Sequence, residues 1–369
     1  MNRIACAAVL LCATAAPAQW TIQDAHTTAD LRGIHALGNG VAWASGTEGT
    51  VLRTTKDGKD WQRCATPPDA DHLDFRGIQA FDASTAIVMS SGKGPLSRLY
   101  KTTDACQTWK LVLTNPDPEG FWDAIQFADR KHGFLLGDPV QRAPDRTPFA
   151  EFRSIDGGQT WNEVDEAHWI QPPNRDAAIF AASNSSMLIR NGASIFVTGG
   201  SRVNLYNRSV TSGYSVTGPN PGTGTRPYIV IRLPMGTDAA SSGAFSIALS
   251  EKTGVGVVVG GDYTTPNEAS YTAVYSTDVS FFHWNKAETF PHGFRSAVSY
   301  DVTTKTWITV GPNGTDISTD DGRNWRPLRP SSTEAPDADQ HWNALSLPFV
   351  VGPHGRIGKL NPQALSTGH

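Results

Sequence analysis

Apolar positions in this chain come in short runs rich in Val, Ile, Phe, Tyr and Trp, each closed by Gly, Pro, Asn or Asp. Runs of that length and composition are strand signals. They recur in a fixed order. A first strand is expected at 32–37, 76–81, 122–127, 178–181, 244–249, 295–300 and 343–347. A second, ending in Gly, follows at 41–46, 85–92, 133–137, 186–192 (or on to Gly200), 254–261, 305–311 and 349–352. A third follows at 51–54, 98–102, 151–154, 204–208, 272–276, 315–318 and 356–360.

The third strand of most units runs into a turn whose fullest copy, 154–161, reads Ser-x-Asp-x-Gly-x-Thr-Trp. Its echoes end on Trp61, Trp109, Trp284 and Trp325, with Lys56 at the Asp position of the first, Cys106 at the Gly position of the second and Ser280 for Gly in a longer fourth copy. The Asp can accept backbone N–H groups, the Gly can take a positive φ, and the Trp can pack over the turn as the outer strand begins. Degeneration of this kind suits a structural turn.

Seven units of roughly 40–60 residues point to an all-β fold, a seven-bladed β-propeller of four-stranded antiparallel blades. The expected blades span about 31–66, 75–114, 121–166, 177–234, 243–288, 293–329 and 342–361. The last unit has three strands, and segment 20–25, opening on Trp20, is expected to supply its fourth. That closure would remove the exposed edges of an open array.

Residues 1–18 have the make-up of a secretory signal: Arg3, an apolar run, and Ala16-Pro17-Ala18 before Gln19. Cleavage after Ala18 would give a periplasmic or extracellular chain, 19–369, with no further stretch suited to spanning a bilayer and so no stable membrane insertion. Without Arg3 the chain carries 30 basic against 35 acidic side chains, a net charge near −5, which argues against nucleic acid as a partner. Two cysteines remain, Cys64 and Cys106. Blades splay towards their outer edges, so two free buried thiols are favoured over a disulfide, although export permits one.

In such a ring the loops joining second to third strands share a face with the starts of the inner strands. Insertions at 138–148 and 261–269 lengthen that face, which makes it the expected binding surface. Arg32, Arg76, Trp122 with Asp123, Arg295 and Trp342 would open there around the channel, joined by Glu48, Asp138, Asp262 and His354. Each arginine could equally pair with a carboxylate of the next blade. Blade four lacks the Asp turn and carries instead a Ser-, Thr-, Gly- and Pro-rich segment, 207–226. The histidines show no metal-type spacing, the glycine run at 254–260 sits in a strand and not before a helix, and no Gly-x-Ser-x-Gly exists, so no cofactor is expected.

The Asp turns resemble the bacterial neuraminidase (BNR, or Asp-box) repeat. The seven-unit layout behind a leader resembles the photosystem II stability/assembly factor-like family of exported propellers. That resemblance implies a scaffold that helps assemble a membrane complex by binding a partner protein, here an envelope protein, with arginines such as Arg32, Arg76 and Arg295 contributing. Rival readings are a sialidase, though Phe75-Arg76-Gly77-Ile78 only partly echoes the Phe-Arg-Ile-Pro signature; a glycosidase using Asp138 and Asp262; and a glycan-binding module stacking sugars on Trp122 and Trp342.

Overall fold

A computed structural model describes residues 19–208, 228–236, 238–329, 334–335 and 337–366. The expected leader and most of segment 207–226 lie outside the described residues. Seven four-stranded antiparallel sheets form a seven-bladed β-propeller, each blade wound from the inner strand outwards. In the first blade the strands are Leu31–Gly38, Val41–Gly46, Val51–Thr54 and Gln62–Arg63. The seventh is closed as expected: Trp20–Gln23 pairs antiparallel with Ile357–Leu360, placing Trp20 opposite Leu360. Segments from near both ends of the chain thus share one sheet, and the seventh blade gains its fourth strand.

The hydrophobic core is divided. A cluster of buried apolar residues fills each of the seven gaps between consecutive blades. Between blades one and two, for example, Trp43 and Val51 meet Phe75, Val88 and Tyr100. Strands packed on both faces read as continuous apolar runs, which is why 86–90 and 255–259 are almost uninterrupted.

The Asp turns work as expected. Asp156 accepts from the Gln159 and Thr160 amides at 2.9 and 3.0 Å and from the Thr160 hydroxyl at 2.6 Å, while Ser154 Oγ accepts from the Gly158 amide at 2.8 Å. Gly158 has φ +79°, and a Cβ there would lie 2.3 Å from Ile87 of the preceding blade. Cys106 takes the same left-handed position in blade two, and Phe281, not Ser280, takes it in the longer copy of blade five.

Two expectations are corrected. Cys64 and Cys106 form a disulfide with Cα atoms 5.3 Å apart. Cys64 lies three residues past its own turn, at the level of the next blade's turn, where the blades touch: the Ala65 amide bonds to the Cys106 carbonyl, and Trp109 Nε1 donates to the Ala65 carbonyl. The outer edges have not yet splayed there. In blade four the inner strand is Met187–Arg190, followed by Ala193–Val197, Asn204–Asn207 and Ile229–Arg232. Segment 178–181 is not that strand. With 182–186 it enters the axial channel and ties the ring together from inside. Asn184 accepts from the Ile125 amide at 2.8 Å and donates to the Ile125 and Ile78 carbonyls. Ser183 Oγ donates to the Ser296 carbonyl, and Ser185 Oγ donates to Ser246 Oγ. Blades two, three, five and six are thereby joined by three consecutive side chains.

Candidate functional site

Above this plug the channel opens as a hollow of about 610 Å³ on the face that carries the second-to-third-strand loops. Its walls follow from a repeated irregularity. In blades one, two, three and five the pairing of the first two strands slips by one residue near its start, and the extra residues are Arg32, Arg76, Asp123 and Phe245. A bulge of this kind re-aims a side chain. All four line the hollow, as do Ser296 and Asn343, which hold the matching places in blades six and seven.

The residue before each bulge faces the other way, into the gaps between blades, and here several expected site residues are corrected. Trp122 and Arg295 stand one place too early, while Trp342, at the same place in blade seven, still borders the hollow. Trp122 is fully buried against Phe152. Trp342 is 1 % exposed, packed against Trp20 and beneath the Arg356 guanidinium, so it offers no open face for a sugar. Arg295 is wholly buried, its Nε 2.8 Å from Asp316 Oδ2, with His292 beside both. Because side chains alternate across a strand, a one-residue slip exchanges lumen for wall.

Asp262 folds onto its own loop, accepting from the Thr264 amide and hydroxyl, and does not line the hollow. His354 sits in a separate recess with Ile22, His341 and Pro353, its amide on Asp30. Asp138 and Asp262 are therefore not brought together as a pair in the hollow.

What the hollow does assemble is a charged cluster beside an aromatic patch. Asp74, unmarked in the sequence, stands between two arginines: Arg76 Nε is 2.8 Å from Asp74 Oδ2, and Arg32 Nε is 3.6 Å from Oδ1. The terminal guanidinium nitrogens of both arginines have no hydrogen-bond acceptor among the described residues, and each side chain remains about 30 % exposed. One carboxylate shared by two guanidiniums leaves a positive excess. Next to it Asp123 is buried, with neither carboxyl oxygen in good hydrogen-bond geometry. Burial, then the nearby Asp138 charge, push its pKa well above the usual carboxylate range, opposed by Arg76. Asp138, held by the Ile179 amide at 2.8 Å, is raised by burial to about 6.

The apolar side consists of Phe180, stacked on Phe245 at 3.9 Å, with Tyr263 edge-on to both and Phe294 edge-on to Phe245. These aromatics escaped the sequence reading because the plug and a loop, not regular strands, deliver three of them. Among the described residues no group of three or more His, Cys, Asp or Glu is arranged to hold a metal ion, and no helix is long and apolar enough to cross a membrane.

No family model matches the chain, and no curated protein matches it. Solved structures do. A structure described as YCF48 bound to D1 peptide is similar over 93 % of this chain and 96 % of that one, at 14 % identity and a TM-score of 0.59. YCF48 from Cyanidioschyzon merolae is similar over 94 % and 100 %, at 15 % identity and 0.60. An ancestral GH74 enzyme is similar over 92 % of this chain but only 46 % of its own, at 14 % identity and 0.52. At such identities the likeness is one of architecture: the chain shares the fold of these propellers.

Proposed function

We propose that this propeller is an exported scaffold that recognises a protein partner, in the envelope or outside the cell, on the face where the hollow opens. The observation that carries the reading is the Arg32–Asp74–Arg76 group. It stands at two bulges, Arg32 reaching across to Asp74 at the start of the next blade, with two guanidiniums to one carboxylate and each arginine about 30 % exposed. Guanidinium groups with free donor edges at the rim of a concave surface are suited to anionic and carbonyl groups of a protein chain. The Cys64–Cys106 disulfide supports an oxidising compartment, in keeping with the leader-like 1–18. That a YCF48 structure holds a D1 peptide lends the reading an analogy of shape. The test is affinity capture from envelope extracts with the mature chain and with an Arg32→Glu/Arg76→Glu variant, proteins being identified in both. A partner retained by the first and lost by the second supports the scaffold; identical captures from the two proteins remove it.

A second reading, glycoside hydrolysis, is favoured by one observation. Asp123 and Asp138 come from adjacent strands, line the same hollow, and both have raised proton affinity. Paired carboxylates of this kind are what an acid and its partner need. Turnover of chromogenic glycosides that disappears in Asp138→Asn would establish it; no turnover across a broad panel would end it.

A further inference from the structure

We propose that the hollow is a binding site for a small free carboxylate with an apolar, preferably aromatic, body, its carboxylate held by Arg32 and Arg76 with Asp123 donating a hydrogen bond, and its body lying against Phe180, Phe245 and Phe294. This goes beyond the scaffold reading. It names a free small molecule as a ligand of the same two arginines, which a protein partner would have to share or displace.

Three independent features converge on it. Arg76 hydrogen-bonds Asp74 through Nε alone and Arg32 Nε stands 3.6 Å from the other oxygen, so the outer edges of both guanidiniums are free to grip a carboxylate from two sides. Asp123 is a buried acid (1 % exposed) that lines the hollow with neither oxygen in good hydrogen-bond geometry, a costly arrangement unless something completes it. In its neutral form it carries one O–H, which a ligand carboxylate can accept. The aromatic rings form a continuous wall from the plug to blade six, so an apolar body has somewhere to lie. The plug closes the floor, and about 610 Å³ is the volume of a small-molecule site. Of the other polar wall residues, Ser296 Oγ donates to the Val310 and Trp342 carbonyls and Asn343 Nδ2 to the Leu31 carbonyl, and neither carries a charge. The recognition must therefore come from the charged side.

The groups facing Asp123 are Arg76 from blade two and Asp138 from its own blade, with Asp74 and Arg32 beyond Arg76. Asp138, raised by burial to about 6, lines the same hollow and becomes an anion as pH rises through that value, so the affinity of an entering carboxylate falls as pH rises.

The experiment is titration calorimetry of the mature protein with 3-phenylpropanoate and with the uncharged 3-phenylpropanamide, each at about pH 5 and about pH 8. The carboxylate is expected to bind roughly tenfold or more tightly than the amide at the lower pH and to weaken at the higher. Arg76→Met should weaken the carboxylate by about tenfold at both pH values. Asp123→Asn, which keeps a donor without an ionisable proton, should retain binding, and Asp138→Asn should flatten the pH dependence; thermal melts confirm that each variant is folded. If Asp123→Asn does not fold, the Arg76→Met comparison decides by itself. Equal affinity for acid and amide, or no carboxylate binding at millimolar concentration, overturns the proposal. So does binding of a peptide ending in phenylalanine without binding of free phenylpropanoate, which would leave the site to a protein partner and the scaffold reading intact.

Discussion

Trp20 Nε1 donates to Asp339 Oδ1 at 3.1 Å, a bond between residues 319 positions apart. The same indole nitrogen reaches Thr315 Oγ1 at 3.1 Å, and Asp339 also accepts from the Thr315 amide at 2.9 Å. The N-terminal strand is therefore anchored to the wall between blades six and seven as well as paired with its own sheet.

Replacing Trp20 should open the ring. Trp20→Ala removes a side chain only 2 % exposed and leaves Asp339 short of a donor, so a loss of about 3–5 kcal/mol is expected. Trp20→Phe keeps most of the packing and should cost about 1–2 kcal/mol. Chemical denaturation measures both. Equal, small losses would show that the closing strand is not held by this contact.

Stability should decline from about pH 4 to about pH 6. Burial raises Asp138 and Asp339 to about 6, so the folded chain holds these protons after the unfolded chain has released them. The unfolded state then binds fewer protons, and stability falls with rising pH through that window, by roughly 2–3 kcal/mol per group. Below about pH 4 the sign reverses. Asp129 and Asp278 are held near 2, Asp129 chiefly by His132 and Asp278 chiefly by Ser280, and that stabilisation is lost as they protonate. Urea midpoints across pH should peak near 4–5, and Asp138→Asn, whose amide oxygen can still accept from Ile179, should flatten the decline. A midpoint that climbs from pH 4 to 7 would contradict this.

Arg295 and Arg76 should separate cleanly. Arg295→Met leaves Asp316 buried with its principal cation gone and should destabilise by about 3–5 kcal/mol. Arg76→Met, at a half-open site, should change stability by less than about 1 kcal/mol while affecting binding at the hollow. Denaturation of the two variants side by side decides it; a stable Arg295→Met would return that residue to the list of binding candidates.

The disulfide closes a separation of 42 residues between blades one and two. Cys64→Ala/Cys106→Ala should cost about 4 kcal/mol on the chain-entropy account. Reduction of the native protein should lower its unfolding midpoint to that of the double variant. An unchanged midpoint on reduction would mean that the bridge constrains little.

The seven-fold count, the Asp turns and the closing strand were all legible in the chain, because each rests on local chemistry repeated at a fixed period. Ser154, Asp156, Gly158 and Trp161 build their turn within eight residues, and Trp20 announces an outer strand wherever it stands. That Arg32, Arg76, Asp123 and Asp138 would share one concave surface was legible too, and all four line one hollow. What sequence alone could not decide were relations set by a single residue of register or by contact between units. A bulge exchanges Asp123 for Trp122 at the lumen, and nothing in Trp122-Asp123-Ala124 marks where the slip falls. Phe180 and Phe294 reach the hollow only because the plug and a blade-linking loop converge there, and Asp74 lies between Arg32 and Arg76 only because blades one and two meet. The Cys64–Cys106 bond depends on how far neighbouring blades have parted at one height, a distance that only the assembled ring fixes.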